Sequence, residues 1–249
     1  LDDPSLQQYY ANVTQLDEAV GTIVAALKAA GVYDETMIWY TSDNGPEGYH
    51  PFGTFNQSDN PYDGSRYRGS TGGLRGRKRE THEGGIRVPT IVSWPAGLEA
   101  AGVPPGSVSA VPVIGSDVFP TMLAAAGVAP PAEVALDSTS ILPLLQGQPL
   151  ERSRPLFWRN SYQWRGDYTF EVAIREGDWK LVSSALRDEF ELYHIASDPR
   201  ETTDLSSQFP ERFERMKETL IAYDRDVLAE GPDWWQRDPR MEGKIPVGN

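Results

Sequence analysis

The sequence predicts an α/β domain followed by a smaller α+β domain, and three observations carry that reading. Tyr9, Val13, Leu16, Val20, Ile23, Val24 and Leu27 recur at the three-four spacing of an amphipathic helix, and a strand-like run, Thr36 to Thr41, follows. A second strand pattern, IRVPTIVSWP, covers residues 86–95. Beyond Pro155 the pattern changes to short strands joined by tight turns, and then to one long helix.

The elements follow in order. Asp3 and Pro4 open the first helix, as N-cap and first helical residue, and Gly31 stops it. A helix leading into the buried strand 36–41 implies a parallel sheet. Residues 45–80 are crowded with Gly, Pro, Asn, Asp and Ser and read as one long loop, of the kind that is functional or disordered in a compact domain. The strand of 86–95 is interrupted at Pro89. Ser116-Asp117 caps a helix VFPTMLAAAG that Gly127 ends, and a short helix spans 140–145. In the second part, Glu171 to Arg175 and Trp179 to Ser183 flank the turn Glu176-Gly177-Asp178, and Glu191 to Ile195 forms a third strand. Pro210 begins a helix with Phe213, Met216, Leu220, Tyr223 and Val227 on one face. The domain boundary falls near 154–155, where the composition shifts.

Composition removes several classes of function. No cysteine is present, so disulfides, thiolate metal sites and cysteine nucleophiles are excluded within these 249 residues. No run reaches the ~20 apolar residues of a bilayer span. A net charge of −13 argues against nucleic acid as a partner. The basic residues are unevenly spread, however. Arg66, Arg68, Arg75, Arg77, Lys78, Arg79 and Arg87 are seven of the 23 in the chain, opposed locally by Glu80 and Glu83 alone. One basic segment in an acidic chain points to a small anion held at one place. The tripeptides Asn12-Val13-Thr14 and Asn56-Gln57-Ser58 are glycosylation sequons of a kind common by chance.

The chemistry-bearing residues sit at the end of the first strand. In TSDNGP, Asp43 and Asn44 offer one charged and one neutral hard oxygen, a pair that suits Ca²⁺ or Mg²⁺ at the carboxyl end of a sheet strand. The same residues also suit a plain turn. Downstream, GLRGRKRETHEGGIRVP runs a basic cluster containing Lys78 into Gly84-Gly85 and then a strand. Paired glycines allow close approach of backbone, and an ammonium at Lys78 can bind an anion that also touches a metal.

With these segments the chain resembles the sulfatase family of the alkaline-phosphatase-like superfamily. The matching pieces are TSDNGP, GGLRGRKRETHEGGIRVPTIVSWPAG, SDVFPTMLAAAGV with DSTSILPLLQG, IREGDWKLV, and ELYHIASDPRETTDL, in family order from about residue 9 to 225. The resemblance implies an alkaline-phosphatase-like mixed sheet flanked by helices. It also implies a smaller C-terminal α+β domain with a short antiparallel sheet and a long helix. It implies that Asp43 and Asn44 ligate the active-site cation, Ca²⁺ before Mg²⁺, and that Lys78 contacts the sulfate group of an aryl or carbohydrate sulfate. The family's nucleophile is a formylglycine made within Cys/Ser-x-Pro-x-Arg. That motif is absent here, and Ser153-Arg154-Pro155 has the wrong arrangement. Asp2-Asp3 precede a helix rather than end a strand, so they are not the family's other metal-binding aspartates. Residues 1–154 therefore correspond to the later part of a sulfatase catalytic domain and 155–249 to its smaller domain. The N-terminal half of the same protein is the expected partner, and turnover by this part alone is not expected. Export to the periplasm or outside the cell is the family's habit.

The remaining candidates divide less sharply. His82 either lines the pocket or packs within its loop, and His50 lies in the loop that shapes substrate choice. His194 and Arg87 read as structural, as does Glu83, which orders its own loop. Arg75, Arg77 and Arg79 read as solvated or paired with local acids. Trp158, Tyr162, Trp164 and Tyr168 suit a carbohydrate platform and interdomain packing equally. Two rival functions stay open: a phosphate or phosphonate monoester hydrolase on the same scaffold, and a catalytically inert module that binds sulfated glycans.

Overall fold

The computed structural model describes residues 3–47, 68–131, 133, 136–164, 167–183 and 189–230. The chain divides into two compact units, Leu1–Leu156 and Phe157–Asn249.

In the first unit α1 spans Pro4–Ala29. Asp3 caps it by accepting from the Ser5 and Leu6 amides at 2.9 and 3.2 Å. Gly31, at φ 70°, ends it. Val32 N–H donates to the Leu27 carbonyl and Gly31 N–H to that of Lys28, the two bonds of a Schellman motif. The stripe that made the helix legible stays partly open: Val13, Leu16 and Ile23 are each about half exposed, Tyr9, Val20, Val24 and Leu27 are partly covered, and Ser5 is the only buried residue of α1.

Strands β1 (Ile38–Thr41) and β2 (Thr90–Ser93) pair antiparallel, with Trp39 opposite Val92 and Tyr40 opposite Ile91. The parallel neighbour implied by a helix leading into a strand is not what this pair adopts. The reason is the return path. Gly45 N–H donates to the Gly85 carbonyl at 2.7 Å, so the chain comes back at the end where β1 finishes. β2 begins there and runs the other way, whereas a parallel pair needs a crossover to the opposite end. β2 starts after Pro89, and the stretch before it forms a single helical turn, α2 (Glu83–Ile86).

Further along lie α3 (Pro95–Ala100), α4 (Val118–Ala125) and α5 (Leu142–Leu145). Asp117 does not cap α4 with its side chain, contrary to the local reading. Its buried carboxylate instead accepts from Ile114 N–H, Thr139 N–H and both terminal nitrogens of Arg152. A guanidinium fork offers two charge-assisted bonds where α4's first amide offers one, and the fork wins.

The second unit is a four-stranded sheet in the order β3 (Leu156–Trp164), β4 (Asp167–Glu176), β5 (Trp179–Ser183), β6 (Phe190–His194). β4 and β5 form the expected hairpin, with Gly177 at φ 58° in its turn. Helix α6 (Pro210–Glu230) lays Met216 and Leu220 on Val172, Ile174, Leu181 and Leu192. The opposite face gathers Ala173, Val182, Tyr193 and Ile195, with Trp158 packed against them. This alternation is the period-two pattern of a sheet buried on both faces. On that second face Lys180 and Glu201, each 0% exposed, pair at 2.8 Å.

Candidate active site

The site is assembled by two segments that the glycines allow to interlock. Asp43 and Asn44 leave β1 at its C-terminal end. Asp43 is exposed, and its Oδ1 accepts from the Asn44 amide at 2.9 Å and from the Ser42 hydroxyl at 3.4 Å. Among the described residues nothing donates to Oδ2. Asn44 donates through Nδ2 to the Gly45 carbonyl at 2.8 Å, which leaves its Oδ1 as the open acceptor.

Three glycines close the fit. A β-carbon on Gly45 would stand 1.9 Å from the Gly84 carbonyl oxygen, and one on Gly84 would stand 2.2 Å from that of Gly76. On Gly85 it would meet the carbonyl oxygens of Glu80 at 2.0 Å and Arg77 at 2.5 Å. Those two carbonyls belong to the turn that carries Lys78. Glu80 N–H closes it onto the Arg77 carbonyl at 3.0 Å, and Arg79 sits at φ 80°, the pattern of a type II turn with Lys78 at its corner. Lys78 N–H then donates to the Pro46 carbonyl at 3.1 Å, so the lysine's own backbone is tied to the segment of Asp43 and Asn44. Lys78 is half-buried, and among the described residues no carboxylate pairs with its ammonium.

The other candidates fall as follows. His82 is buried, with its carbonyl accepting from Gly85 and Ile86, so the structure builds it into the loop. Glu83 is buried at the start of α2, 3.8 Å from Arg87. His194 packs its ring edgewise on Trp179 and shares a 2.9 Å hydrogen bond with Ser197. His50 lies outside the described residues, as do the side chains of Tyr162, Trp164 and Tyr168. Glu47 was not singled out by sequence, yet its carboxylate takes both terminal nitrogens of Arg79. Its one signal was its place directly after the TSDNGP segment.

As a cation site the pair is partial. Asp43 Oδ2 and Asn44 Oδ1 are hard oxygens of the type Ca²⁺ takes, but Ca²⁺ uses about six to eight. No group of three or more His, Cys, Asp or Glu placed to hold a metal ion occurs among the described residues. The two oxygens would supply only part of such a set.

The family model for sulfatases matches residues 2–128, and that for the N-sulphoglucosamine sulphohydrolase C-terminal region matches 76–225. The chain belongs to the sulfatase family. Mouse steryl-sulfatase is 32% identical over 248 residues, covering 89% of this chain and 36% of that protein. Human arylsulfatase A is 35% identical over 171 residues, covering 68% and 29%. Among solved structures, Ps i-CgsB in complex with k-i-k-neocarrahexaose superposes with a TM-score of 0.71 at 25% identity, over 90% of this chain and 44% of that one. The chain therefore spans about a third of the length of the curated relatives it matches, and its fold is the alkaline-phosphatase-like fold of the sulfatases. No helix among the described residues is long and apolar enough to cross a membrane.

Proposed function

We propose that the protein carrying this chain is a sulfuric ester hydrolase acting on aryl or carbohydrate sulfate monoesters. The observation that carries the reading is the tie between Lys78 and the Asp43-Asn44 segment, through Lys78 N–H and the Pro46 carbonyl, in a chain of this family. Asp43 and Asn44 hold a divalent cation, Ca²⁺ rather than Mg²⁺, because a carboxylate and an amide oxygen contributed to a larger set of protein oxygens suit the larger ion. When bound, the cation neutralises charge on the sulfuryl oxygens. Lys78 binds the sulfate group and steadies the departing oxygen as charge develops on it. The formylglycine nucleophile and the remaining ligands come from the N-terminal half of the same protein, and this part alone does not turn over. Sulfated sugars are favoured as substrates by the match to the N-sulphoglucosamine sulphohydrolase region and by the oligosaccharide complex of the structural neighbour.

The test uses the complete protein, matured by a formylglycine-generating enzyme, with Ca²⁺ present. It compares turnover of 4-nitrophenyl sulfate with that of 4-nitrophenyl phosphate. The expected result is a sulfate preference that Lys78→Ala and Asp43→Ala each reduce by about 100-fold or more. A phosphate preference moves the protein to the sibling class of monoesterases. Absence of any turnover, with glycan affinity indifferent to chelator and to Asp43→Ala, replaces the enzyme by a binding module.

A further inference from the structure

The turn that presents Lys78 contains an oddity. The segment meets its left-handed positions at 72, 73 and 76 with glycine, yet at 79 it uses arginine, with φ 80°. The third position of a type II turn is the place where glycine is most at home. A side chain there costs on the order of 1–3 kcal/mol of backbone strain. Such a cost persists where the side chain does something that glycine cannot.

What the Arg79 side chain does is grip Glu47. Both of its terminal nitrogens meet the two carboxylate oxygens, one of them at 2.8 Å. The pair is 27% and 19% exposed, so it is shielded in a way that an ordinary surface pair is not. Glu47 follows Pro46, whose carbonyl receives Lys78 N–H. Lys78 and Arg79 therefore clamp successive residues of the segment that begins at Asp43, one through its backbone and the other through a planar fork. Neighbouring Arg77 makes no comparable grip: it is exposed and reaches the Glu47 carbonyl at 3.4 Å.

We infer that Arg79 and Glu47 are a positioning pair for the reaction, fixing the Lys78 ammonium relative to Asp43 and Asn44 without touching substrate. The inference rests on the sulfatase reading above and deepens it. It also separates two roles that a simple alanine scan would merge. Glycine at 79 relieves the left-handed strain while deleting the fork, so it removes the positioning role and keeps the turn.

The experiment is run in the complete, matured protein, with 4-nitrophenyl sulfate and Ca²⁺. Arg79→Gly is expected to lower kcat/KM by about 10- to 100-fold, the range for a catalytic group misplaced by ångströms, at a melting temperature equal to or above that of the wild type. Glu47→Gln is expected to fall similarly. The double variant is expected to fall no further, since the two side chains act as one unit. Arg79→Lys keeps the charge without the fork and recovers part of the loss. Arg77→Ala stays within about twofold of wild type, as a solvated arginine should. Unchanged kinetics in Arg79→Gly overturn the inference alone. So does a loss of activity matched by a fall in melting temperature, and so does full additivity in the double variant. A wild type inert toward both sulfate and phosphate esters overturns the sulfatase reading and this inference with it.

Discussion

Gly85→Ala puts one carbon where the structure has no room for it. The added β-carbon would lie 2.0 Å from the Glu80 carbonyl oxygen and 2.5 Å from that of Arg77, both backbone atoms. Ordinary contact begins at 3.4 Å, so the Glu80 carbonyl must retreat by about 1.4 Å, an overpacking that costs about 1–3 kcal/mol. The retreat also strains the 2.7 Å bond from Gly45 N–H to the Gly85 carbonyl and the 3.0 Å bond that closes the turn. Losing one of them adds about 1 kcal/mol. The combined expectation is roughly 2–4 kcal/mol, which for a chain of this size is a fall of roughly 5–15 °C in melting temperature. Lys78 sits on the turn that moves, so turnover by the complete protein drops with stability. Gly21→Ala is the matched control. Gly21 lies within α1 with nothing near its would-be β-carbon, and alanine there is expected to stabilise by up to about 1 kcal/mol. Differential scanning calorimetry of the two variants decides the matter. If both glycine replacements move the melting temperature in the same direction, the interlock does not hold these segments together.

Two other perturbations test the smaller unit. Lys180→Met removes the ammonium from the Glu201 carboxylate where it is 0% exposed, and urea unfolding should show a loss of about 3–5 kcal/mol. Lys180→Met with Glu201→Leu should recover most of that, and a double variant as weak as the single one would mean the ion pair is not what matters. Burial pushes the Asp204 carboxyl up, but the Leu192 amide and the hydroxyl and amide of Ser206 outweigh it and hold it below its ordinary value of 3.8. The folded pKa is depressed, so the unfolded chain takes up the proton first. The stabilisation is present above pH 3.8 and is lost as pH falls through the folded value. Urea midpoints measured from pH 5 downward should decline less steeply in Asp204→Asn, and an unaltered slope would remove Asp204 from the account.

The residues read correctly from sequence are those whose structure is decided within a few positions. Asp3-Pro4 starts a helix because the carboxylate needs only the next amides, and Gly31 and Val32 end it through bonds to residues three and five back, respectively. The hairpin at Gly177 and the stripe of Met216 and Leu220 obey equally local rules. The misreadings share one cause, a partner far along the chain. Asp117 obeys a local capping rule until Arg152, 35 residues away, outbids the helix amide. The direction of β2 is set by Gly45 meeting Gly85, a contact that no periodicity announces.

The site shows both kinds of legibility at once. Asp43, Asn44 and Lys78 are singled out by residue types that suit a cation and an anion, but chemistry by type says nothing of how they are held. The paired glycines 84 and 85 announce a close approach but not its partners; the holding is done by Gly45, Gly84 and Gly85, which let carbonyls pass, and by the left-handed backbone of Arg79. Only the backbone angle separates Arg79 from the other arginines of the basic segment, and only Glu47 explains why the angle is tolerated. A run that reads as a diffuse positive patch thus divides: Lys78 sits at a turn corner with no carboxylate on its ammonium among the described residues, Arg79 grips Glu47, and Arg68 and Arg87 meet Asp3 and Glu83. That division follows from three-dimensional constraint on a segment whose sequence alone offers seven interchangeable charges.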